Sequence, residues 1–330
     1  MKILITGVAG FIGFNVSREF LMQGHTVVGV DNLSEYYSVE MKESRLELLL
    51  RQKNFRFERV DISNRRPLEE IFVNDNFDSV IHLAAQPGVR VSFADSENYS
   101  KANLLGFGNI LQCVTQFQVP VFMYASSSSV YGNAKEIPFN EITTIPEPIN
   151  FYGGTKLSNE VLVKSSIGGT NTTAIGLRFF TVYGPWGRPD MAYFKILLRN
   201  LAGSDFKLFG DGSATRDFTY IDDAVNAIIK LRSWGLASER GLNTVVNIGG
   251  GKPSTMSDLI RILDKKTNYN LNTDLSDGDP VDMIRTFADT SLIERLIHYK
   301  PETSLENGLT KFVEWAKSPE ILKLLKKITQ

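Results

Sequence analysis

Tyr152 and Lys156 stand four positions apart in YGGTK, and Ser127 lies upstream in YASSSSVYG. On a helix that spacing places two side chains one turn apart on one face. A phenol, an ammonium group and a hydroxyl can together move a proton to or from a substrate hydroxyl. Free tyrosine, with a pKa of about 10, is a poor base at neutral pH. A nearby ammonium and a positively charged cofactor ring both favour phenolate and are expected to lower that value. The spacing recurs in Tyr131 and Lys135 of YGNAK. Gly132-Asn133 between them is a turn signal, so that pair need not share a helical face. Tyr152 and Lys156 open a predicted helix, and Ser127 closes a predicted strand. Taken alone, such a pair reads as an ordinary helix start with a surface lysine.

The elements that must hold these groups follow from the hydrophobic pattern. Residues 2–6, 26–31, 55–62, 79–85, 119–127 and 172–180 read as strands. Helical spacing covers 11–23, 36–53, 65–74, 95–118 and 152–166. Strands alternating with helices imply right-handed parallel crossovers and a doubly wound α/β sheet. The pattern changes after residue 180, where Gly and Pro punctuate 184–189 and 210–213. The expected division is a cofactor domain over 1–180 and a smaller substrate domain over 181–217 and 251–330. The segment 218–250, ending in the apolar run TVVNIGG, is expected to return to the first domain.

Composition narrows the class. The chain has 330 residues, 42% of them hydrophobic, and a net charge of -1. No basic patch suggests nucleic acid. Cys113 is the single cysteine, so no intramolecular disulfide is possible, and it reads as a buried packing residue. His25, His82 and His298 are too far apart for metal-ligand spacing, and no metal is expected. No apolar run is long enough to span a bilayer, and a cytoplasmic protein is the default expectation. The charged runs at 42–53 and near the C-terminus read as solvated helix faces.

Gly7, Gly10 and Gly13 in TGVAGFIG fall between the first strand and the first helix. Glycine there lets backbone approach a pyrophosphate, which sits on the free N–H groups of the helix start. The bland alternative is a tight strand–helix turn. Asp31, closing the next strand, can accept from ribose hydroxyls and repels a 2′-phosphate. Asn32 and Leu33 follow it rather than arginine, so NAD is favoured over NADP. Phe11, Ile12 and Asn32 flank these positions. Asp61 and Ile62 end the third strand, and Leu83, Ala84 and Ala85 the fourth, where sheets of this type bind ligands.

TGVAGFIG, Asp31, HLAAQPGVR, YASSSSVYG, YGGTK and RFFTVYGPWGRPDM together resemble the extended short-chain dehydrogenase/reductase family of nucleotide-sugar enzymes. The match runs from residue 3 to about 223, with VNIGG and FAD (287–289) extending it. Within the family the chain looks most like UDP-glucuronate 4-epimerases. The resemblance implies a tightly held NAD, hydride removal at C4, and hydride return to the opposite face of a rotated 4-keto sugar. It places Ser127, Tyr152 and Lys156 in the catalytic roles. Related 4,6-dehydratases carry Asp-Glu where Ser128 and Ser129 stand here, and related decarboxylases carry Glu at the position of Ser129. Both departures favour epimerisation.

The resemblance also assigns a substrate set. Arg188 is the candidate grip on a sugar carboxylate, for which guanidinium geometry is suited. Ser128 and Thr181 lie near the sugar, Arg216 is the diphosphate ligand and Phe209 the uracil neighbour. Arg90 and Arg285 are further phosphate candidates, and Asn103 a cofactor-side contact. Relatives often pair as homodimers, and 104–117 with 157–163 could form that seam or equally be core. Gly153 and Gly154 follow Tyr152 where relatives carry better helix formers, so a looser catalytic turn is expected. Two rival readings remain: a 4-epimerase of a neutral or N-acetylated UDP-hexose, and a non-catalytic NAD-binding scaffold.

Overall fold

The computed structural model describes residues 1–277 and 281–328. The first half alternates strand and helix: β1 (Lys2–Thr6), α1 (Phe11–Met22), β2 (Thr26–Asp31), α2 (Val39–Leu50), β3 (Phe55–Arg59), α3 (Arg65–Asn74) and β4 (Ser79–His82). A short α4 (Ser96–Ser100) passes through a π-helical stretch, Lys101–Gly106, into α5 (Phe107–Gln116). The helix expected over 95–118 is therefore present but widened at its centre. Next come β5 (Val121–Ser127), a 3-10 turn at Ser128–Tyr131, α6 (Phe151–Ile167) and β6 (Thr173–Phe179). The remainder holds β7 (Thr181–Tyr183), α7 (Ala192–Ala202), β8 (Phe206–Phe209), β9 (Thr215–Tyr220), α8 (Ile221–Ala237), β10 (Asn243–Ile248), β11 (Pro253–Thr255) and α9 (Met256–Thr267). It closes with β12 (Thr273–Ser276), α10 (Ser291–Ile297), α11 (Leu305–Ala316) and α12 (Pro319–Ile328).

Seven strands make one sheet in the order β10-β6-β5-β4-β1-β2-β3, every pairing parallel. Helices cover both faces, which explains why β6 is buried along its whole length and carries no polar alternation. β10 does return to the sheet, with Val246 opposite Leu177 of β6. Strand order reverses between β1 and β4, so a crevice opens beyond their carboxyl ends. Two smaller sheets, β11-β9-β7 and β12-β8, lie outside the main one.

A buried polar network braces the strands beneath the crevice. Arg178 of β6 donates from Nε and Nη2 to Glu160 of α6 at 2.9 and 2.7 Å, and from Nη1 to the Tyr131 hydroxyl at 2.8 Å. Tyr131 in turn donates to Asn247 of β10 at 2.8 Å, and Ser126 of β5 donates to Glu160 at 2.5 Å. Each charged group is hydrogen-bonded, the condition under which a buried ion pair is tolerated. Tyr131 is thus a structural member of this brace. The rival Tyr131–Lys135 pair does not present a helical face.

Candidate active site

The glycine turn between β1 and α1 is shaped by close approach. Gly7 has φ of 70°, and a Cβ there would lie 2.7 Å from the Ala84 nitrogen. The turn therefore nestles against the end of β4 as no other residue would allow. Gly10 precedes α1 with no side-chain cap, so the first-turn amides face the crevice without an intrahelical acceptor. Asp31 accepts from Ala9 N at 3.0 Å and Leu33 N at 2.8 Å. Burial raises its pKa, opposed by those two amides and by the Lys42 and Arg45 charges. Asp61 sits beside it: Asn32 Nδ2 donates to Asp61 at 3.2 Å. Burial acts to raise the Asp61 pKa, but bonds from Ser63 and Asn32 and the Lys101 charge outweigh it and hold it low.

From this acidic end a cavity of about 580 Å³ runs across the carboxyl edge of the sheet. Gly7, Gly10, Phe11, Ile12 and Gly13 line it from the turn. Asp31, Asn32, Asp61 and Ile62 line its outer end, and Leu83, Ala84 and Ala85 its floor. Ser127, Tyr152, Lys156 and Arg188 line the far end. Residues drawn from separate parts of the chain thus meet in one space. The Ser127–Tyr152–Lys156 trio and the glycine turn open onto the same cavity.

The trio's geometry follows from two local devices. Ser127 is the last residue of β5, and its hydroxyl accepts from Ser129 N at 3.1 Å. α6 starts at Asn150, whose side chain caps Gly153 N at 2.8 Å. A Cβ on Gly153 would come 2.7 Å from the Ser129 carbonyl oxygen, whereas Gly154 faces open space. Gly153 is therefore a fitted contact that lets the helix seat on the turn after Ser127. The Asn150 cap and the close packing at Gly153 hold the first turn. Lys156 Nζ donates to Ala125 O at 2.9 Å and lies 5.8 Å from the Tyr152 ring centroid.

The electrostatics differ from expectation. Among protein groups, burial dominates and pushes the Tyr152 phenol above its ordinary value, while the Ser127 hydrogen bond and the Arg188 charge act downward. Lys156 is not the group that lowers it. Burial also depresses the Lys156 pKa to about 8, which weakens its hold as a permanent cation. His82, buried and 2.7 Å from Thr6 Oγ1, is pushed to about 3 by burial and then by Lys156, and stays neutral. It packs beneath the site rather than entering it.

Arg188 reaches the cavity already partnered. Its Nε and Nη2 donate to Asp190 at 3.0 and 2.5 Å. The Arg188 guanidinium lies 5.7 Å from the Tyr36 ring centroid, and burial raises the Tyr36 pKa while the Arg188 charge acts downward. The Tyr99 ring stands 6.3 Å from that of Tyr152, edge-on. Tyr36, Tyr99 and Asp190 were not singled out from the sequence. The visible signal was the aromatic pair Tyr36-Tyr37 in a polar loop directly after Asp31.

The remaining predicted residues lie off this cavity wall. The Asn103 amide accepts from Gln86 N at 2.8 Å and donates to Gln86 O at 3.0 Å and Thr155 Oγ1 at 3.1 Å. It ties the Gln86 loop to Thr155 of α6. Ser128 is buried in the 3-10 turn, and Thr181 opens β7. Arg90, Phe209 and Arg216 form a separate group. The Arg90 guanidinium lies 4.1 Å from the Phe209 ring centroid and pairs with Asp282 at 2.6 Å. Arg216 feels both the Asp282 and Arg90 charges, yet burial is the main influence and lowers its pKa. Arg285, bridged to Thr215 beside Arg216, donates to Lys135 O at 2.7 Å. A further correction concerns the charged run of α2: Lys42 and Arg45 are buried, not solvated. Lys42 Nζ bonds the Ser34 carbonyl and hydroxyl, and Arg45 bonds backbone carbonyls.

Comparison with known proteins agrees with this geometry. Residues 3–249 match the model of the NAD dependent epimerase/dehydratase family. The chain is 37% identical to a UDP-glucuronate 4-epimerase of Thermodesulfobacterium geofontis, covering 98% of each chain. It is 39% identical to Protein CapI of Staphylococcus aureus, over 96% of this chain and 98% of that one. The solved UDP-glucuronic acid 4-epimerase of Bacillus cereus, in complex with UDP-glucuronic acid and NAD, superposes with a TM-score of 0.89 at 34% identity, covering 98% of this chain and 100% of that one. This chain belongs to the NAD dependent epimerase/dehydratase family.

Proposed function

We propose that the protein interconverts UDP-glucuronate and UDP-galacturonate at C4, using NAD. The observation that carries this is the shared cavity, where an anion-binding turn, Asp31, the Ser127–Tyr152–Lys156 trio and Arg188 all meet. The cavity fits NAD: uncapped first-turn amides suit a pyrophosphate, and Asp31 suits the ribose hydroxyls. The chemistry NAD supplies when bound is reversible acceptance of hydride from C4. In this division of labour, residues 1–180 with the returning segment 218–250 hold the cofactor, and 181–217 with 251–330 hold the nucleotide sugar.

Tyr152 takes the proton of the C4 hydroxyl and later returns it. The Ser127 hydroxyl hydrogen-bonds the same oxygen. Burial disfavours the phenolate, so each positive charge or donor near Tyr152 counts, Ser127 and Arg188 first among the protein groups. Ser128 and Ser129 offer hydroxyls where water elimination would need a general acid and base, which supports epimerisation over dehydration. Arg188 grips the C5 carboxylate. A 4-keto uronate is a β-keto acid, and a held carboxylate resists loss of CO₂. The Arg90, Phe209 and Arg216 group receives the nucleotide and diphosphate.

Among the described residues, no helix is long and apolar enough to cross a membrane, which supports a cytoplasmic enzyme. Leu105 before α5 and Val161 and Leu162 on α6 are exposed, which supports pairing of two copies through these helices. Incubating purified protein with a panel of UDP-sugars and resolving C4 epimers by NMR tests the reading. Conversion of UDP-glucuronate in preference to UDP-glucose and UDP-N-acetylglucosamine is expected. Preference for a neutral sugar would replace the substrate assignment, and no turnover of any sugar would favour a scaffold.

A further inference from the structure

Arg45 lies on the inner face of α2, fully buried. Its guanidinium makes four hydrogen bonds, all to uncharged acceptors. Nη1 donates to Ala9 O at 2.9 Å and the Tyr37 hydroxyl at 2.7 Å. Nη2 donates to Trp186 O at 2.7 Å and Gly187 O at 2.8 Å. Burying a cation without a bonded carboxylate is costly, and an apolar side chain would fill a helix face more cheaply. The partners explain the choice.

Ala9 sits inside the glycine turn, between Gly7 and Gly10. Its N–H is taken by Asp31 and its carbonyl by Arg45, so this part of the turn is pinned from two sides. Trp186 and Gly187 directly precede Arg188. Trp186 adopts φ of 61°, a left-handed conformation disfavoured for a bulky residue, and it persists only where surroundings enforce it. Arg45 Nη2 donates to both carbonyls of that turn, while the Trp186 ring packs 5.5 Å from the Phe14 ring of α1. A planar guanidinium can bond both segments at once, and a lysine ammonium cannot reproduce the fork.

We propose that Arg45 is a positioning residue that couples the cofactor turn to the loop carrying Arg188, so that order in one is transmitted to the other. The link to the sugar carboxylate rests on the reading of Arg188 given above. The link between turn and loop does not. Coupling of this kind is a free energy shared between two sites and is reciprocal.

Two experiments test it. In the first, Arg45→Lys and Arg45→Met are compared with wild type for NAD affinity and for the KM and kcat of UDP-glucuronate, alone and combined with Arg188→Ala. One charge-assisted bond lost corresponds to about tenfold or more in an equilibrium constant. About tenfold weaker NAD binding and an about tenfold higher KM are therefore expected for Arg45→Lys, with a larger loss for Arg45→Met. In the Arg188→Ala background the KM effect should vanish while the NAD effect remains. Equal KM effects in both backgrounds would reduce Arg45 to a stability role and overturn the coupling. Absence of any UDP-glucuronate turnover in wild type would instead overturn the functional reading and leave the NAD arm decisive.

The second experiment needs no variant and decides the matter if Arg45 variants do not fold. ADP carries the adenosine and pyrophosphate portions only. Its binding to the nucleotide-free full chain should slow amide hydrogen exchange across 184–190 as well as across 7–13. Protection confined to 7–13 would overturn the proposal.

Discussion

Replacing Arg188 with alanine should separate charged from neutral sugars. The guanidinium is nearly enclosed, its side chain 19% exposed; it holds Asp190 through two bonds and lies 5.7 Å from the Tyr36 ring centroid. A sugar carboxylate therefore gains only the difference between its own bond and the contacts it shares or displaces. One charge-assisted hydrogen bond is worth about 1.5–3 kcal/mol, or about 10- to 150-fold in Kd. The assay is calorimetric titration of UDP-glucuronate and UDP-glucose in a Tyr152→Phe background, where bound sugar does not turn over. UDP-glucuronate should weaken by that factor, and UDP-glucose by less than about threefold, since it lacks the carboxylate. Alanine also strands Asp190 in partly buried surroundings, so some stability is lost. Arg188→Ala with Asp190→Asn should regain stability without regaining discrimination. Equal weakening of both ligands, or discrimination restored in the double variant, would refute the reasoning.

Three further outcomes follow from the same geometry. Tyr152→Phe should abolish epimerisation while NAD binding and melting temperature hold; undiminished turnover would remove Tyr152 as the base. Gly153→Ala should disrupt the seat of α6 on the Ser129 carbonyl and lower both activity and melting temperature, whereas Gly154→Ala should be neutral or mildly stabilising, since its Cβ enters open space; equal effects would contradict the packing account. Lys156 has a folded pKa of about 8, below its ordinary value, so the folded state binds fewer protons between about pH 8 and 10.5 and stability contributed by this group rises with pH there. Below pH 8 the buried charge costs about 3 kcal/mol. Lys156→Met should therefore be inactive yet gain stability over nucleotide-free wild type at pH 7, with the gain shrinking toward pH 10 in urea titrations. A gain that stays constant with pH would show that the charge is not the cause.

The doubly wound sheet was legible because buried parallel strands leave uninterrupted apolar runs such as VVGV and TTAIGL. The cavity's main walls were legible because ligands gather at strand carboxyl ends, which are places in the sequence. What stayed hidden depends on partners far along the chain. Lys42 and Arg45 look like a solvated helix face until the Trp186 and Gly187 carbonyls, some 141 residues away, are placed against Arg45. With hindsight, Met41, Arg45 and Leu49 share helical spacing, so the charge lay on a face that had to be buried. The bonds from Asn103 to Gln86 and Thr155 were hidden for the same reason, since spacing cannot say which loop an amide serves. Gly153 was read as a weak helix former, while its reason is the approach of the Ser129 carbonyl oxygen. The lysine's share in the Tyr152 expectation failed for a related reason. The sequence reveals a neighbouring lysine, but not how dry the pocket is or that Lys156 bonds Ala125.

The most direct test is conversion of UDP-glucuronate by the purified protein in D₂O, followed by proton NMR. The account predicts UDP-galacturonate with hydrogen, not deuterium, at C4, because the hydride removed is the hydride returned. Deuterium at C4, or no UDP-galacturonate at all, would contradict it.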